Sequence, residues 1–203
     1  ASINTITSGN DNHLHTTKES VIFGISNNAI NVEHSMILGK ENKIRDTSGT
    51  ILFGNNNDAS GNVLNTFASG ANHDINGGSQ NIAFGNNSKM TGSNNSMLSG
   101  LNNMAVSIMN SFGFGKTNHL DTTTDSLTSG NANKLKNTHA TTVFGTENDA
   151  SNNTTNSFVS GSNNRDYNGQ YNATMGKSNH INNGEGNMIS GNTNTITDAS
   201  MNT

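Results

Sequence analysis

Glycine recurs along this chain at a nearly constant interval: Gly9, Gly24, Gly39, Gly54, Gly70, Gly85, Gly100, Gly115, Gly130, Gly145, Gly161, Gly176 and Gly191. Ten of the twelve spacings are 15 residues, and the two from Gly54 to Gly70 and from Gly145 to Gly161 are 16. Self-similarity at a short fixed period is the signature of stacked repeat units that bury their apolar side chains against their neighbours. Each glycine closes a β-prone segment such as SVIFG (20–24), SMILG (35–39), TILFG (50–54), SMLSG (96–100) or SFVSG (157–161). Three residues beyond the glycine, Asn fills eleven of thirteen slots, with His73 and Ser88 in the others. Five beyond it comes a lone apolar residue, among them Ala29, Ile44, Ile75, Met90, Leu120, Leu135 and Ile181. The coil after Gly161 reads Asn164-Arg165-Asp166-Tyr167, and a one-residue shift placing Tyr167 in that slot is expected.

Fifteen residues are too many for one strand and turn and too few for a helix–turn–helix repeat, so each unit should hold two short strands and two turns. Stacked about 4.8 Å apart, such coils would form a rod of roughly 60 Å. The fold class is therefore all-β, a parallel β-roll of about 13 coils, expected as one domain over 1–203 in which no proline interrupts an element. Glycine suits the turns because it tolerates positive φ, and Asn tolerates that region better than most residues. Asn27, Asn42, Asn57, Asn103, Asn118, Asn133, Asn148, Asn164 and Asn179 are accordingly read as a turn ladder, stacked side chain on side chain.

Side chains alternate between faces along a strand. The positions one and three before the glycine share a face, and their sizes compensate: Phe67 with Ser69, Phe158 with Ser160, Val21 with Phe23. One large and one small residue per rung would fit a narrow interior. The opposite face, two before the glycine, is also apolar, and a strand apolar on both faces needs a surface beyond its own coil. Ile22, Ile37, Leu52, Leu98, Val143, Val159 and Ile189 are the residues expected to pack against other copies of the chain.

Composition narrows function mostly by exclusion. Leu, Ile, Val and Phe number 37 and Asn alone 41, with a formal net charge of -4. Ten scattered Lys and Arg provide no footprint for nucleic acid or an anionic membrane. The absence of Cys removes disulfides and thiol chemistry. The seven histidines keep no constant phase in the repeat and have no carboxylate at a metal-ligand spacing. The repeated polar residue is neutral Asn, a poor substitute for the carboxylate of calcium-binding rolls. A period of 15 also differs from the 18-residue coil of hexapeptide acyltransferases, and the threonines keep no column of the kind ice binding needs. No catalytic constellation, cofactor or metal is expected.

Segments such as SVIFGISNNA (20–29), NIAFGNNSKM (81–90) and SFGFGKTNHL (111–120) resemble the repeated motif of YadA-like heads in trimeric autotransporter adhesins. The resemblance spans the chain in thirteen copies. It implies a left-handed roll, assembly as a homotrimer, and display on a Gram-negative outer membrane, with attachment through a C-terminal anchor not present in this piece. It also implies a host cell-surface or matrix protein as partner. The Asn richness resembles that of heads from fusobacteria, some of which engage CEACAM receptors.

A repetitive surface binds through its departures from the repeat or through many weak copies. Leu101, Val106, Ile108 and Met109 make the coil after Gly100 unusually apolar, and the extra residue of the first 16-residue coil is expected to bulge and present Val63 and Leu64. These six are the candidate receptor contacts. A passive spacer is the competing reading, and a glycan- or ice-binding solenoid a third.

Overall fold

The structure, a computed structural model, describes residues 2–200. It is an all-β parallel solenoid of about 13 turns, with no helix among the described residues. The chain divides into two compact units, Ala1–Asn102 and Asn103–Thr203, each described by itself. In the first unit, the glycine-bearing strands, such as Val21–Ile25, Met36–Lys40 and Ile51–Asn55, form one parallel ladder. The following strands, such as Asn28–Glu33 and Lys43–Ser48, form a second. The second unit repeats the scheme, with Leu127–Asn131 on Thr142–Thr146 in one ladder and His119–Thr124 on Lys134–His139 in the other. Every repeat glycine pairs with the next within its unit, as in Gly24↔Gly39↔Gly54 and Gly130↔Gly145↔Gly161.

The coil turns three times, not twice. Left-handed backbone occurs two, seven and ten residues after the glycine, at Ser26, Asn31 and His34 in one coil and at Thr117, Thr122 and Asp125 in another. Between the second and third corners runs a third, minimal ladder, seen as the bridges Ser48↔Leu64↔Ser79 in the first unit and His139↔Thr155↔Gln170 in the second. Asn populates these corners because its short polar side chain makes left-handed backbone less costly than for other non-glycine residues. The ladder Asn27–Asn42–Asn57 stands one residue after the first corner and has ordinary backbone.

Those ladder asparagines are buried. The Oδ1 of Asn27 accepts from the backbone N–H of Asn42 at 3.1 Å, and the Oδ1 of Asn42 accepts from that of Asn57 at 3.0 Å. Asn27 Nδ2 donates to the carbonyl of Gly39 at 2.9 Å, and Asn42 Nδ2 to that of Gly54 at 2.9 Å. In the second unit Asn103, Asn118, Asn133, Asn148, Asn164 and Asn179 repeat the pattern, each Oδ1 taking the next rung's N–H at 2.9 to 3.1 Å, the last from Asn194. A backbone turning a corner inside the core leaves donors that must find partners, and the amide column supplies them. His73 substitutes for Asn as a neutral ring: its Nδ1 accepts from the Ser88 N–H at 3.4 Å, and its Nε2 lies 3.2 Å from the Ser69 carbonyl.

The residue after each corner points inward, and from there side chains alternate. This phase puts Ile22, Ile37, Leu52, Leu98, Val143 and Val159 at 0% exposure and Ile189 at 5% within the single chain. The expectation that they meet another copy is corrected: their surface is already consumed by their own coils. The compensating pairs, expected inside, instead point out.

Substitution of Gly39 should be poorly tolerated. Its φ is +132°, and a Cβ there would land on the carbonyl oxygen of Gly54. Gly39→Ala is expected to cost about 3 kcal/mol or more in chemical denaturation. His73 makes the fold acid-sensitive, because burial pushes its imidazole below the ordinary 6.5. The unfolded chain then takes up the proton more readily, so stability is lost as the pH falls through that ordinary value. His73→Asn is expected to flatten this loss when denaturation midpoints are compared at about pH 7 and about pH 5.

Candidate binding surfaces

Three outward faces can meet a partner. The first belongs to the glycine-bearing ladder. In the first unit it carries Phe23 at 38% and Phe84 at 38% exposure, with half-buried Val21, Met36, Leu38, Ile51, Phe53, Phe67, Ile82 and Met97. Ring pairs bridge successive coils diagonally, Phe53 to Phe67 at 5.6 Å and Phe67 to Phe84 at 5.3 Å between centroids. In the second unit Phe144 meets Phe158 edge-on at 6.0 Å, and Phe112 stacks on Phe114 at 6.4 Å. The size compensation in the sequence is thus the record of an outer zigzag, in which a large side chain on one rung leans over a small one on the next. Edge-to-face geometry rewards this arrangement beyond simple burial.

The second face, outside the second ladder, is polar. In the second unit Lys134 Nζ lies 3.3 Å from Asp149 Oδ2, which also accepts from Tyr167 Oη at 3.0 Å, and the Tyr167 ring stands edge-on to His180 at 5.5 Å. Burial pushes the Tyr167 phenol up, helped by its bond to Asp149. In the first unit Lys89 pairs with Asp74 at 3.4 Å. The third face follows the minimal ladder, where Leu64 is 46% and Met109 47% exposed.

The apolar candidates from the sequence divide accordingly. Leu101, at 39% exposure, Leu64 and Met109 are at the surface, and Val106 is half-buried. Val63 and Ile108, at 0% and 1%, are corrected to core positions. Each follows a corner, and the residue after a corner turns in. The extra residues are absorbed at the second corner itself, where Gly61 and Asn62, and likewise Asn152 and Asn153, adopt positive φ in succession.

Tyr167 does not take the inward slot of its coil. Asp166 does, stacked between Ala150 and Ile181 and fully buried. Asn172 Nδ2 donates to its Oδ1 at 3.1 Å, while its Oδ2 finds no partner among the described residues. Burial therefore pushes this carboxyl up to about 6. Sequence reasoning missed it because an acid in a column of aliphatics looks like a register slip.

No group of three or more His, Asp or Glu residues placed to hold a metal occurs among the described residues. No family model and no curated protein matches the chain. Among solved structures, the polySia specific acetyltransferase NeuO aligns over 78% of this chain and 79% of its own at 8% identity and a TM-score of 0.21, too low for the likeness to carry any argument.

The raised pKa of Asp166 has a sign opposite to that of His73. The native state holds the proton more tightly than the unfolded chain, so Asp166 costs stability as pH rises from the ordinary carboxyl value of 3.8 through about 6. Asp166→Asn is expected to stabilise the fold at about pH 8 by about 2 to 3 kcal/mol and to have little effect near pH 4, read from denaturant titrations at both.

Proposed function

We propose that this chain is the head of a trimeric autotransporter adhesin, a left-handed roll that displays its polar face to a host cell-surface or matrix protein while three copies pack through the aromatic zigzag. The observation that carries the reading is the apolar outer face of the glycine-bearing ladder. Phe23, Phe53, Phe67 and Phe84 in the first unit, and Phe112, Phe144 and Phe158 in the second, are partly open to water in the single chain. Contiguous apolar surface of this kind marks an interface. A closed symmetric assembly would cover it on every copy at once. The likeness of the thirteen motif copies to YadA-like heads supports the family reading, and the number three comes from that reading. Binding by three copies of a weak site would raise avidity without any strong single contact.

The solution mass of the purified chain tests the assembly. Light scattering is expected to read three chains, and Phe53→Ser with Phe67→Ser to lower the mass towards one chain while the β circular dichroism is kept, since both side chains lie outside the core. A wild-type chain that stays monomeric at high concentration rules the reading out.

A further inference from the structure

We infer that the outer face of the second ladder in the first unit holds a binding site for a carboxylate-bearing sugar. A cavity of about 370 Å³ opens there across three coils, walled by Asn28, Ile30, Lys43, Arg45, Asp58 and Ser60. Its cause is local. The strand Lys43–Ser48 pairs with Asp58–Ser60 only through Lys43↔Asp58 and Ile44↔Ala59, so the ladder lapses where Arg45 and Ser60 would continue it. The coil after Gly54 is a 16-residue coil whose second corner begins immediately at Gly61. At the other 16-residue coil the pairing runs one step further, to Lys136↔Ser151.

The chemistry of the wall is uneven in a way that names the ligand. Lys43 and Arg45 are exposed and form no ion pair among the described residues, while their counterpart Lys134 in the second unit is bound to Asp149. Two exposed cations on one strand, one of them a guanidinium fork, outnumber the single carboxylate of the wall, Asp58, and match a further planar carboxylate. The wall also carries an acceptor that lacks a donor. Asn28 Oδ1 is buried with no hydrogen-bond partner among the described residues, while half-buried Asp58 already has the Ser60 hydroxyl and the charges of Lys43 and Arg45 beside it. A bare anion such as inorganic phosphate would satisfy the cations and leave the Asn28 acceptor unmet. A uronic acid residue brings both a carboxylate and several hydroxyl donors, and half-buried Ile30 provides an apolar surface for the ring. Burying an unpaired acceptor is costly, so a ligand that pairs Asn28 gains by it.

The proposal gives the adhesin reading a ligand class and rests on it for the display of the cavity to host matrix. Its probe is a hyaluronan hexasaccharide, which carries carboxylates and no sulfate, titrated by calorimetry into the intact chain. Millimolar or tighter binding is expected, weakened about tenfold or more in Arg45→Gln and in Lys43→Gln, both exposed and fold-neutral, and abolished when the carboxyls of the sugar are reduced. Absence of binding, equal binding by both variants, or equal binding of the reduced sugar overturns it. Tighter binding of an acidic peptide than of the sugar also overturns it and assigns the cavity to protein ligands. If sugar binding fails while the mass remains that of three chains, only this site is lost. If the chain is monomeric yet binds the sugar through Arg45, the site stands and the adhesin-head reading falls.

Discussion

Each coil depends on how closely the carbonyl of one repeat glycine approaches the α-carbon of the glycine one rung away. No side chain fits in that space, and the glycines hold φ near +106° to +133°, a region closed to other residues. The approach does more than permit stacking. It places the glycine carbonyl within reach of the Asn Nδ2 from the preceding rung, and the same Asn offers its Oδ1 to the next rung's N–H. Glycine and asparagine are thus two halves of one device, and the period of 15 is the length of chain needed to return to it.

From this device the other columns follow. Each left-handed corner resets the alternation of side chains, so away from the end rungs a residue after a corner turns inward. One corner leads to the amide ladder, the second to a narrow column of small or β-branched residues that includes Thr17, Val32, Thr47 and Ser93, and the third to buried Ser, Thr or Asn such as Ser35, Thr50 and Asn81. An interior this polar is tolerated because its groups are largely paired along the stacking direction: Ser20 Oγ accepts from the Ser35 N–H, and Ser35 Oγ from the Thr50 N–H. It also explains how a chain with so few large aliphatics folds. Hydrogen bonds between rungs take a share of the work that a wider core gives to burial.

The same economy leaves the outer surfaces to carry function. A coil with a slender interior cannot hide every apolar side chain, and the overflow collects on the glycine-bearing ladder as the aromatic zigzag. The second ladder is left polar, with the ion pairs Lys89 to Asp74 and Lys134 to Asp149, and with a cavity where the pairing of the first unit stops at Ile44↔Ala59. An apolar face and a polar face on different sides of one coil are what the proposed function requires, one for assembly and the other for a ligand.

The sequence alone determined the repeat, its number, its all-β character and the residues that share each column, because glycine contact and amide pairing demand the same residue types at every turn. The identity of the ladder asparagines was legible for the same reason. Which face of the first strand points inward was not. Both faces are apolar, alternation fixes only their difference, and the tie is broken by corners that Asn often fills but that Ser26, Glu41 and Thr117 fill as well, so residue type does not mark every corner. So Ile22 and its column, Val63 and Ile108 went inside, Phe23 and its neighbours went outside, and Asp166 took a core slot that its charge argued against. Only closure of the coil could decide these, since the direction of a side chain depends on how many corners precede it.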